Sequence, residues 1–267
     1  MKKLLVFTDL DGTLLDHHNY DYSAAKPALQ RLADLQFPLI FNSSKTIAEM
    51  QPFAQQLTLH HPIIAENGSV VVCPQGYFLT LSSTTTYFGC DYQQITNTLQ
   101  SLRTEFGFNF TGFNDMSVEE VMAHTGLEHK AAQRARTRLS SEPLLWQQDE
   151  GALAEFKDQL SHHGLTLTRG GRFFHVMRPI NKSHAMAWLL KQYQLLQPQT
   201  HWITVALGDS HNDVQMLQAA DISVLIHNPA GSAPDVSLIT NIILPTSSGP
   251  TGWCEAINMI IDQNIEE

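Results

Sequence analysis

The sequence is poor in cysteine, in basic residues and in long hydrophobic runs, and each shortage excludes a class of protein. Its 267 residues include three scattered cysteines, Cys73, Cys90 and Cys254, which do not form a disulfide framework or a zinc motif. Lys and Arg number 16 against 26 Asp and Glu, and the net charge of −10 disfavours binding to a nucleic-acid backbone. No apolar run approaches the length of a membrane span. We therefore expect a reduced, cytoplasmic protein that binds neither nucleic acid nor membrane.

Short apolar runs alternate with helical patterns, which predicts an α/β fold with a Rossmann-like, doubly wound parallel sheet. The runs that would form the sheet are residues 3–8, 37–41, 62–65, 201–207, 222–226 and 242–244. The middle of the chain carries its own helices and strands between these two sets of runs. We therefore predict a core domain over residues 1–82 and 180–267, interrupted by an inserted α+β domain over residues 83–179.

Local patterns predict two further features of the core. Pro74-Gln75-Gly76 separates two strand-like runs, residues 69–73 and 77–81, and predicts a hairpin. Thr46 and Glu49 have the spacing of a capping box and predict the start of a helix.

The string Asp9-Leu10-Asp11-Gly12-Thr13 directly follows the first predicted strand. Two carboxylates two residues apart point the same way in an extended chain. Such a pair needs a cation between its members, or a proton on one of them. A hard divalent cation fits, and Mg²⁺ is the common choice where a substrate phosphate completes its shell. Gly12 allows the chain to turn sharply after the second acid.

Three more patterns would reach the same edge of the sheet, where the carboxyl ends of parallel strands lie together. Gly208-Asp209-Ser210-His211-Asn212-Asp213 follows a second predicted strand and adds carboxylates. Ser43 ends another strand beside a helix start, where a hydroxyl can bind phosphate. Lys182 precedes the helix after the insertion, where the helix dipole mildly disfavours a cation. Taken singly, each pattern is also typical of a turn, a cap or an exposed lysine.

These four motifs, in this order on alternating strands, resemble those of the haloacid dehalogenase-like superfamily of phosphotransferases. Glu66-Asn67-Gly68 resembles a turn of the Cof-like (IIB) subclass, whose members carry a large α/β cap. The resemblance implies that residues 83–179 are this cap and that residues 1–82 and 180–267 are the catalytic core. Other strings resemble the mannosyl-3-phosphoglycerate phosphatases, namely Ser43-Ser44-Lys45-Thr46, Gly112-Phe113-Asn114-Asp115-Met116-Ser117, Ser141-Glu142-Pro143 and Gly170-Gly171-Arg172-Phe173-Phe174-His175. Ser43 stands where that family usually has Thr, and the hydroxyl is kept.

The resemblance implies a Mg²⁺-dependent phosphatase that hydrolyses mannosyl-3-phosphoglycerate to mannosylglycerate and phosphate through an aspartyl-phosphate. It implies that Asp9 is the nucleophile and that Asp11 is the general acid and base. Ser43 and Lys182 would stabilise the charge on the phosphoryl oxygens. The implied metal ligands are Asp9, the backbone carbonyl of Asp11, and Asp209.

The resemblance also implies supporting residues. Asn212 and Asp213 would orient Asp209 and Lys182. A second anion site in the cap would hold the glycerate carboxylate, for which arginine is the natural partner. The substrate-binding candidates are Ser44, Lys45, Asn67, Arg172 and His175. Most of the basic residues between 130 and 138 are expected on a solvated helix face.

Two further kinds of function remain open. On the same scaffold, the protein could be a broader hexose- or sucrose-phosphate phosphatase, or a phosphomannomutase-like transferase. It could also be a sugar-phosphate sensor without turnover, although both aspartates of the first motif are present. In each case the expected partner is a small phosphorylated sugar or glycerate.

Overall fold

The computed structural model describes residues 2–169, 172–229 and 234–265. In chain order the strands are β1 (Lys2–Thr8), β2 (Leu39–Asn42), β3 (Ile63–Ala65), β4 (Val70–Val72), β5 (Thr85–Tyr87), β6 (Phe110–Gly112), β7 (Ser141–Trp146), β8 (Thr166–Arg169), β9 (Phe174–Met177), β10 (His201–Gly208), β11 (Ile222–Leu225) and β12 (Ile242–Ile243). Eight of them form one sheet in the order β12-β11-β10-β1-β2-β3-β4-β5, and the other four form a second sheet in the order β6-β7-β9-β8.

Helices cover both faces of the large sheet, which confirms the predicted doubly wound α/β core. The helices are α1 (Lys26–Asp34), α2 (Ile47–Gln56), α3 (Tyr92–Phe106), α4 (Val118–Thr125), α5 (His129–Ala135), α6 (Glu150–His162), α7 (Lys182–Leu196), α8 (Val214–Ala219) and α9 (Gly249–Ile265). Helices α1, α2 and α9 pack on one face, and α7 and α8 pack on the other. Among the described residues, no helix is both long enough and apolar enough to cross a membrane.

Strand β1 lies in the centre of the large sheet and is buried on both faces. Leu4 and Val6 pack into the core under α1, α2 and α9, whereas Leu5 and Phe7 pack into the core under α7 and α8. A strand buried on both faces is an almost continuous apolar run, and this explains the sequence pattern. Trp253 of α9 is also fully buried, and its indole N–H donates to the Thr8 hydroxyl at 3.0 Å.

The register of the parallel strands brings the predicted motifs together. Thr8 at the end of β1 lies beside Phe41 of β2 and Leu207 of β10. The residues that follow these three strands therefore emerge side by side at one edge of the sheet. Asp9, Ser43 and Asp209 all lie at this edge.

The second sheet and its helices form the α+β insertion. Strands β6 to β9 pair antiparallel, and α3 and α6 pack against one face of their sheet. Strand β5, at residues 85–87, pairs antiparallel with β4 of the large sheet although it lies within the predicted insertion. The domain limits at 82–83 and 179–180 stay a prediction.

The predicted hairpin across Pro74–Gly76 is wrong. Strand β4 pairs with β3 and with β5, and residues 77–81 form no strand. The aromatic residues of that run pack onto α7 instead, where the ring centroid of Phe78 lies 5.2 Å from that of Tyr193. The hydroxyls of Tyr77 and Tyr193 are 2.8 Å apart. Side-chain burial therefore takes the place of strand pairing in this segment. The predicted capping box of Thr46 and Glu49 is present at the start of α2.

Candidate active site

Asp9 and Lys182 form a buried ion pair at the carboxyl end of β1. The Lys182 Nζ atom donates to Asp9 Oδ1 and to Asp213 Oδ1, at 2.6 Å each. Burial raises the pKa of Asp9, and the nearby carboxylates of Asp213 and Asp11 add to that effect, while Lys182 opposes it. Burial alone would lower the pKa of Lys182, but Asp213 and Asp9 raise it, so the ammonium stays charged. The Asn42 side chain donates to the Lys182 carbonyl at 3.1 Å and fixes the start of α7.

Asp213 and Asp209 follow β10, and their carboxylates accept different hydrogen-bond donors. Asp213 Oδ2 accepts the backbone N–H groups of Asp209 and Ser210, both at 3.1 Å. With Lys182 on its other oxygen, Asp213 is occupied by donors and orients its neighbours. Asp209 accepts the Thr13 hydroxyl at 3.2 Å and the Asn228 amide at 2.5 Å.

The acids at this edge fit a divalent cation. One carboxylate oxygen from each of Asp9, Asp209 and Asp213 lies within 4.8 Å of the others. Burial raises the pKa of Asp209, and the charges of Asp9 and Asp213 raise it further. A cation beside Asp9 and Asp209 would relieve this repulsion, and hard oxygen donors suit Mg²⁺. Asp213 accepts the Lys182 ammonium on one oxygen and two backbone amides on the other, whereas Asp209 accepts two neutral side-chain donors and Asp9 binds Lys182 through Oδ1. Asp9 and Asp209 are therefore the better side-chain ligands.

Asp11 lies on the outer side of Asp9 and pairs with Lys45. The distance from Lys45 Nζ to Asp11 Oδ2 is 2.9 Å. Asp11 Oδ1 is buried and has no hydrogen-bond partner among the described residues. Gly12 turns the chain with φ of 78°, and a Cβ atom there would lie 2.6 Å from Asp209 Oδ2. Only glycine therefore lets the Asp11 turn approach Asp209 so closely.

A cavity of about 490 Å³ opens beside Lys45, between the core and the cap. Its lining includes Tyr20, Tyr22, Lys45, Phe53 and Arg134. The Lys45 ammonium lies 5.1 Å from the centroid of the Tyr20 ring. Burial raises the pKa of Tyr20, whereas the charges of Lys45 and Arg172 lower it. The exposed Arg172 of the cap contributes to the electrostatics of Tyr20 but is not among the described residues that line this cavity.

Ser43 and Ser44 follow β2 and connect the site to the cap. Ser43 is buried, and its hydroxyl oxygen accepts the Lys45 N–H at 3.3 Å. The Ser44 carbonyl accepts a hydrogen bond from Arg138 at 3.3 Å. The Thr46 hydroxyl donates to the Arg134 carbonyl at 3.0 Å. The loop that carries Ser43 is thus held by the cap as well as by the core.

His175 on β9 differs in charge from Arg172, the other substrate-binding candidate in its sequence string. Burial lowers the pKa of His175 to about 3, and the charge of Arg138 contributes to the shift. Its Nδ1 atom is buried and has no partner among the described residues. A neutral imidazole offers a hydrogen bond to an uncharged group but no positive charge to a carboxylate.

The family model for haloacid dehalogenase-like hydrolases matches residues 6–246, a span that contains every residue of this site. The chain belongs to the haloacid dehalogenase-like hydrolases. It is 38% identical over 270 residues to the glucosyl-3-phosphoglycerate/mannosyl-3-phosphoglycerate phosphatase of Methanococcoides burtonii, with 98% of each chain covered. The protein of the same name from Persephonella marina is 32% identical over 268 residues, with 97% of this chain and 98% of that one covered. The predicted family and the predicted enzyme class, a phosphoric monoester hydrolase, are confirmed.

Solved structures of other hydrolases share the fold. A haloacid dehalogenase-like hydrolase from Bacteroides thetaiotaomicron superposes with a TM-score of 0.69 at 18% identity, covering 97% of this chain and 100% of that one. The sucrose-phosphatase of Synechocystis sp. PCC6803 superposes with a TM-score of 0.62 at 16% identity, covering 97% and 98% of the two chains. At such identities the likeness concerns the fold alone.

Some predicted site residues of this hydrolase have other contacts than expected. Asn67, a substrate-binding candidate, accepts the side-chain amide of Asn212 at 3.1 Å and so joins two loops. Arg138 is an exception to the solvated face expected for most of the basic residues between 130 and 138, because it is buried and donates to the Ser141 carbonyl at 2.8 Å. Gly170 and Gly171 lie outside the described residues, so the first part of that string is not placed.

Sequence reasoning missed several contributors to the site of this hydrolase. Asn42 and Asn228 carry no motif of their own, and their contacts appear only once the strands are placed side by side. Thr13 was part of the first motif, but its bond to Asp209 spans 196 residues of sequence. A buried arginine such as Arg138 gives no signal in a basic stretch of sequence, because the same pattern fits an exposed helix.

Proposed function

We propose that this hydrolase is a Mg²⁺-dependent phosphatase that converts mannosyl-3-phosphoglycerate into mannosylglycerate and phosphate. The observation that carries the proposal is the buried Asp9–Lys182–Asp213 arrangement beside Asp209. The names of the two relatives support a phosphorylated sugar-glycerate as substrate. The coarser statement, a sugar-phosphate phosphatase of this family, rests on the same relatives and on the family match.

Asp9 is the nucleophile of the proposed reaction. Lys182 holds its Oδ1 atom and leaves Oδ2 to attack phosphorus. The Asp9–phosphorus bond forms as the bond from phosphorus to the sugar-glycerate oxygen breaks. Water then attacks the aspartyl-phosphate, which releases phosphate and restores the Asp9 carboxylate.

Asp11 moves the proton in both halves of the proposed reaction. As an acid it protonates the leaving oxygen, and as a base it then takes a proton from the attacking water. Its free Oδ1 atom is the one available for this transfer, because Oδ2 pairs with Lys45.

The charge on the transferring phosphoryl group is met by several residues. Ser43 and Lys182 would contact the equatorial oxygens, where charge stabilisation is the main task of phosphoryl transfer. Mg²⁺, when bound by Asp9, Asp209 and the Asp11 carbonyl, would supply further positive charge. These local cations allow a protein with a net charge of −10 to hold an anionic substrate.

The cavity beside Lys45 is where the remainder of the substrate would bind. Lys45 and Arg134 line the cavity together with Asp21 and Glu49, and Arg172 acts electrostatically on its Tyr20. One of these cations would hold the glycerate carboxylate, and arginine matches two carboxylate oxygens. Tyr20, which lines the cavity, offers an aromatic face to the sugar. The phosphate, the glycerate carboxylate and the sugar would each contact the protein, and together these contacts would close the cap on the substrate and position the phosphorus. Truncated substrates should therefore lose rate as well as affinity.

A phosphate-release assay with Mg²⁺ tests the proposal. We expect kcat/KM for mannosyl-3-phosphoglycerate to exceed that for mannose 6-phosphate, 3-phosphoglycerate and an aryl phosphate by at least about tenfold, the effect of one charged hydrogen bond. The glucosyl compound belongs in the same assay because the relatives are named for both sugars. A higher kcat/KM for a simple hexose phosphate would replace the proposal with a broader sugar phosphatase. Isomerised sugar phosphate would indicate a mutase, and no turnover would indicate a sensor.

A further inference from the structure

The turn Glu66-Asn67-Gly68 has an unusual backbone for which the catalytic proposal gives no role. Its three residues have φ values of 52°, 56° and 93°. A left-handed conformation costs about 1–2 kcal/mol for a residue other than glycine. Glu66 and Asn67 both accept that cost, so their surroundings must hold the turn firmly.

The backbone and the amide side chain of the turn bind the loops of the phosphate site. The Glu66 N–H donates to the Lys45 carbonyl at 3.0 Å, and the Asn67 N–H donates to the Ser43 carbonyl at 3.0 Å. Asn67 Oδ1 accepts the Asn212 amide at 3.1 Å. A Cβ atom on Gly68 would lie 2.3 Å from the carbonyl oxygen of the residue before Lys182. The turn therefore contacts the loops that carry Ser43, Lys182 and Asp213.

The side chain of Glu66 points the other way and binds the cap. Its carboxylate is fully buried and accepts the N–H groups of Leu139 at 2.8 Å and Ser140 at 3.0 Å. It also accepts the Ser141 hydroxyl at 2.7 Å. Arg138 lies 3.7 Å away as its ion-pair partner and donates in turn to the Ser44 carbonyl.

We propose that Glu66 is a positioning residue. It couples the contact between cap and substrate to the positions of the residues around the phosphate. The Glu66 carboxylate binds residues 139–141 of the cap. The backbone N–H groups of Glu66 and Asn67 bind the loop that contains Ser43 and Lys45. Because hydrogen bonds hold the turn to the cap segment on one side and to that loop on the other, a shift of the cap segment would move the loop. A substrate that binds the cap therefore stabilises the arrangement of Ser43 and Lys182 that phosphoryl transfer requires. This inference rests on the proposed phosphatase activity and goes beyond it.

Glu66→Gln tests the coupling, because the amide keeps the shape but loses the charge and one acceptor oxygen. We expect kcat for the best sugar-phosphate substrate of the wild type to fall about tenfold or more, the effect of one charged hydrogen bond. KM should change much less. The nitrophenol group of p-nitrophenyl phosphate is too small to bind the cap. The fall in kcat for that substrate should therefore be at least about fivefold smaller.

Glu142→Gln is the matched control. Glu142 is 1% exposed and accepts the Tyr92 hydroxyl at 2.6 Å and the Asn114 N–H at 2.8 Å, and both partners belong to the cap. This variant should leave the ratio of the two kcat values unchanged. Ser141→Ala removes one of the bonds to Glu66 and should move the ratio in the same direction as Glu66→Gln, by less. Should Glu66→Gln fail to fold, Ser141→Ala decides the question.

The coupling is overturned if Glu66→Gln leaves the ratio of the two kcat values unchanged, which includes an equal fall on both substrates. It is also overturned if Glu142→Gln changes that ratio as much as Glu66→Gln does. The wild-type assay separates this result from a failure of the proposed function. If another sugar phosphate replaces mannosyl-3-phosphoglycerate as the best substrate, the proposed function fails, while the ratio is measured with that substrate instead. A wild type with no preference for any sugar phosphate over the aryl phosphate would also overturn the coupling.

Discussion

The carboxylate of Asp9 is buried beside two other acids, and Lys182 is the cation that keeps this group of charges together. Removing Lys182 would be costly because the buried carboxylates of Asp9 and Asp213 would be left without compensation, whereas Lys182 keeps Asp213 as a partner if Asp9 is neutralised. The same arrangement aims one oxygen of Asp9 away from Lys182. In the proposed reaction, the stability of the site and the reactivity of Asp9 would therefore depend on the same contacts.

Asp9→Asn should abolish turnover and leave the fold intact. The amide keeps the size of the side chain and one acceptor for Lys182, but it is not a nucleophile. Phosphate release from an aryl phosphate measures the activity, and circular dichroism measures the fold. Wild-type protein with Mg²⁺ should also bind beryllofluoride at Asp9, and the variant should not. Appreciable hydrolysis by the variant would exclude the covalent route.

Asp11→Asn should lose about 10²–10⁴-fold in kcat on a sugar phosphate, the usual contribution of a general acid or base. An aryl phosphate has a better leaving group and needs less proton donation. The first step should therefore lose less with the aryl ester, as single-turnover release of the phenol would show. Equal losses on the two substrates would restrict Asp11 to metal binding or to the activation of water.

Arg172→Ala should weaken kcat/KM for mannosyl-3-phosphoglycerate by about 1.5–3 kcal/mol if Arg172 holds the glycerate carboxylate. An aryl phosphate without that group should be almost unaffected. Arg169→Ala is the control, since the exposed Arg169 guanidinium packs 5.7 Å from the Phe174 ring. A similar loss in both variants, or a loss on the aryl phosphate, would exclude this role for Arg172.

Among the elements of the fold, the cap sheet carries a buried acid whose charge depends on pH. Burial raises the pKa of Glu142 on β7 from 4.5 to about 7. The folded protein therefore holds this proton more tightly than the unfolded chain does. The resulting stability is fully present below pH 4.5 and is lost as the pH rises through 7.

Glu142→Gln should remove this pH dependence. The shift from 4.5 to about 7 corresponds to about 3 kcal/mol. The free energy of unfolding of the variant minus that of the wild type should therefore increase between pH 5 and pH 8 by up to about that amount. Denaturant titrations of both proteins at the two pH values measure it. A difference that does not change with pH would contradict the raised pKa of Glu142.

Local sequence signals predicted elements well where the signal is a contact between near neighbours. The capping box of Thr46 and Glu49 is such a case, because both of its hydrogen bonds form within one helical turn. The hairpin across Pro74–Gly76 failed because Phe78 packs against Tyr193, which is far away in sequence. A strand pattern cannot show that a distant helix will take up its aromatic side chains.

For the whole molecule, alternation of strands and helices was enough to predict the sheet, and its topology places Asp9, Ser43 and Asp209 together. The contacts between cap and core were beyond reach of the sequence. Glu66 meets Leu139 and Ser141 across 73 and 75 residues of chain. Such contacts depend on how the two sheets pack against each other, and the hydrophobic periodicity of single helices and strands does not specify that packing.

The most direct test of the account is the identification of the phosphorylated residue during turnover of mannosyl-3-phosphoglycerate. Wild type should be mixed with mannosyl-3-phosphoglycerate and Mg²⁺ and quenched in acid. The Asp11→Asn variant should be treated in the same way with an aryl phosphate, whose better leaving group keeps the first step fast while slow water attack lets the intermediate accumulate. Mass spectrometry of the digested protein should then find one phosphoryl group, on Asp9. Wild type should show the same adduct at lower occupancy, and Asp9→Asn should show none. Substrate consumption with a phosphoryl group on another residue, or with none on Asp9 in either protein, would contradict the account.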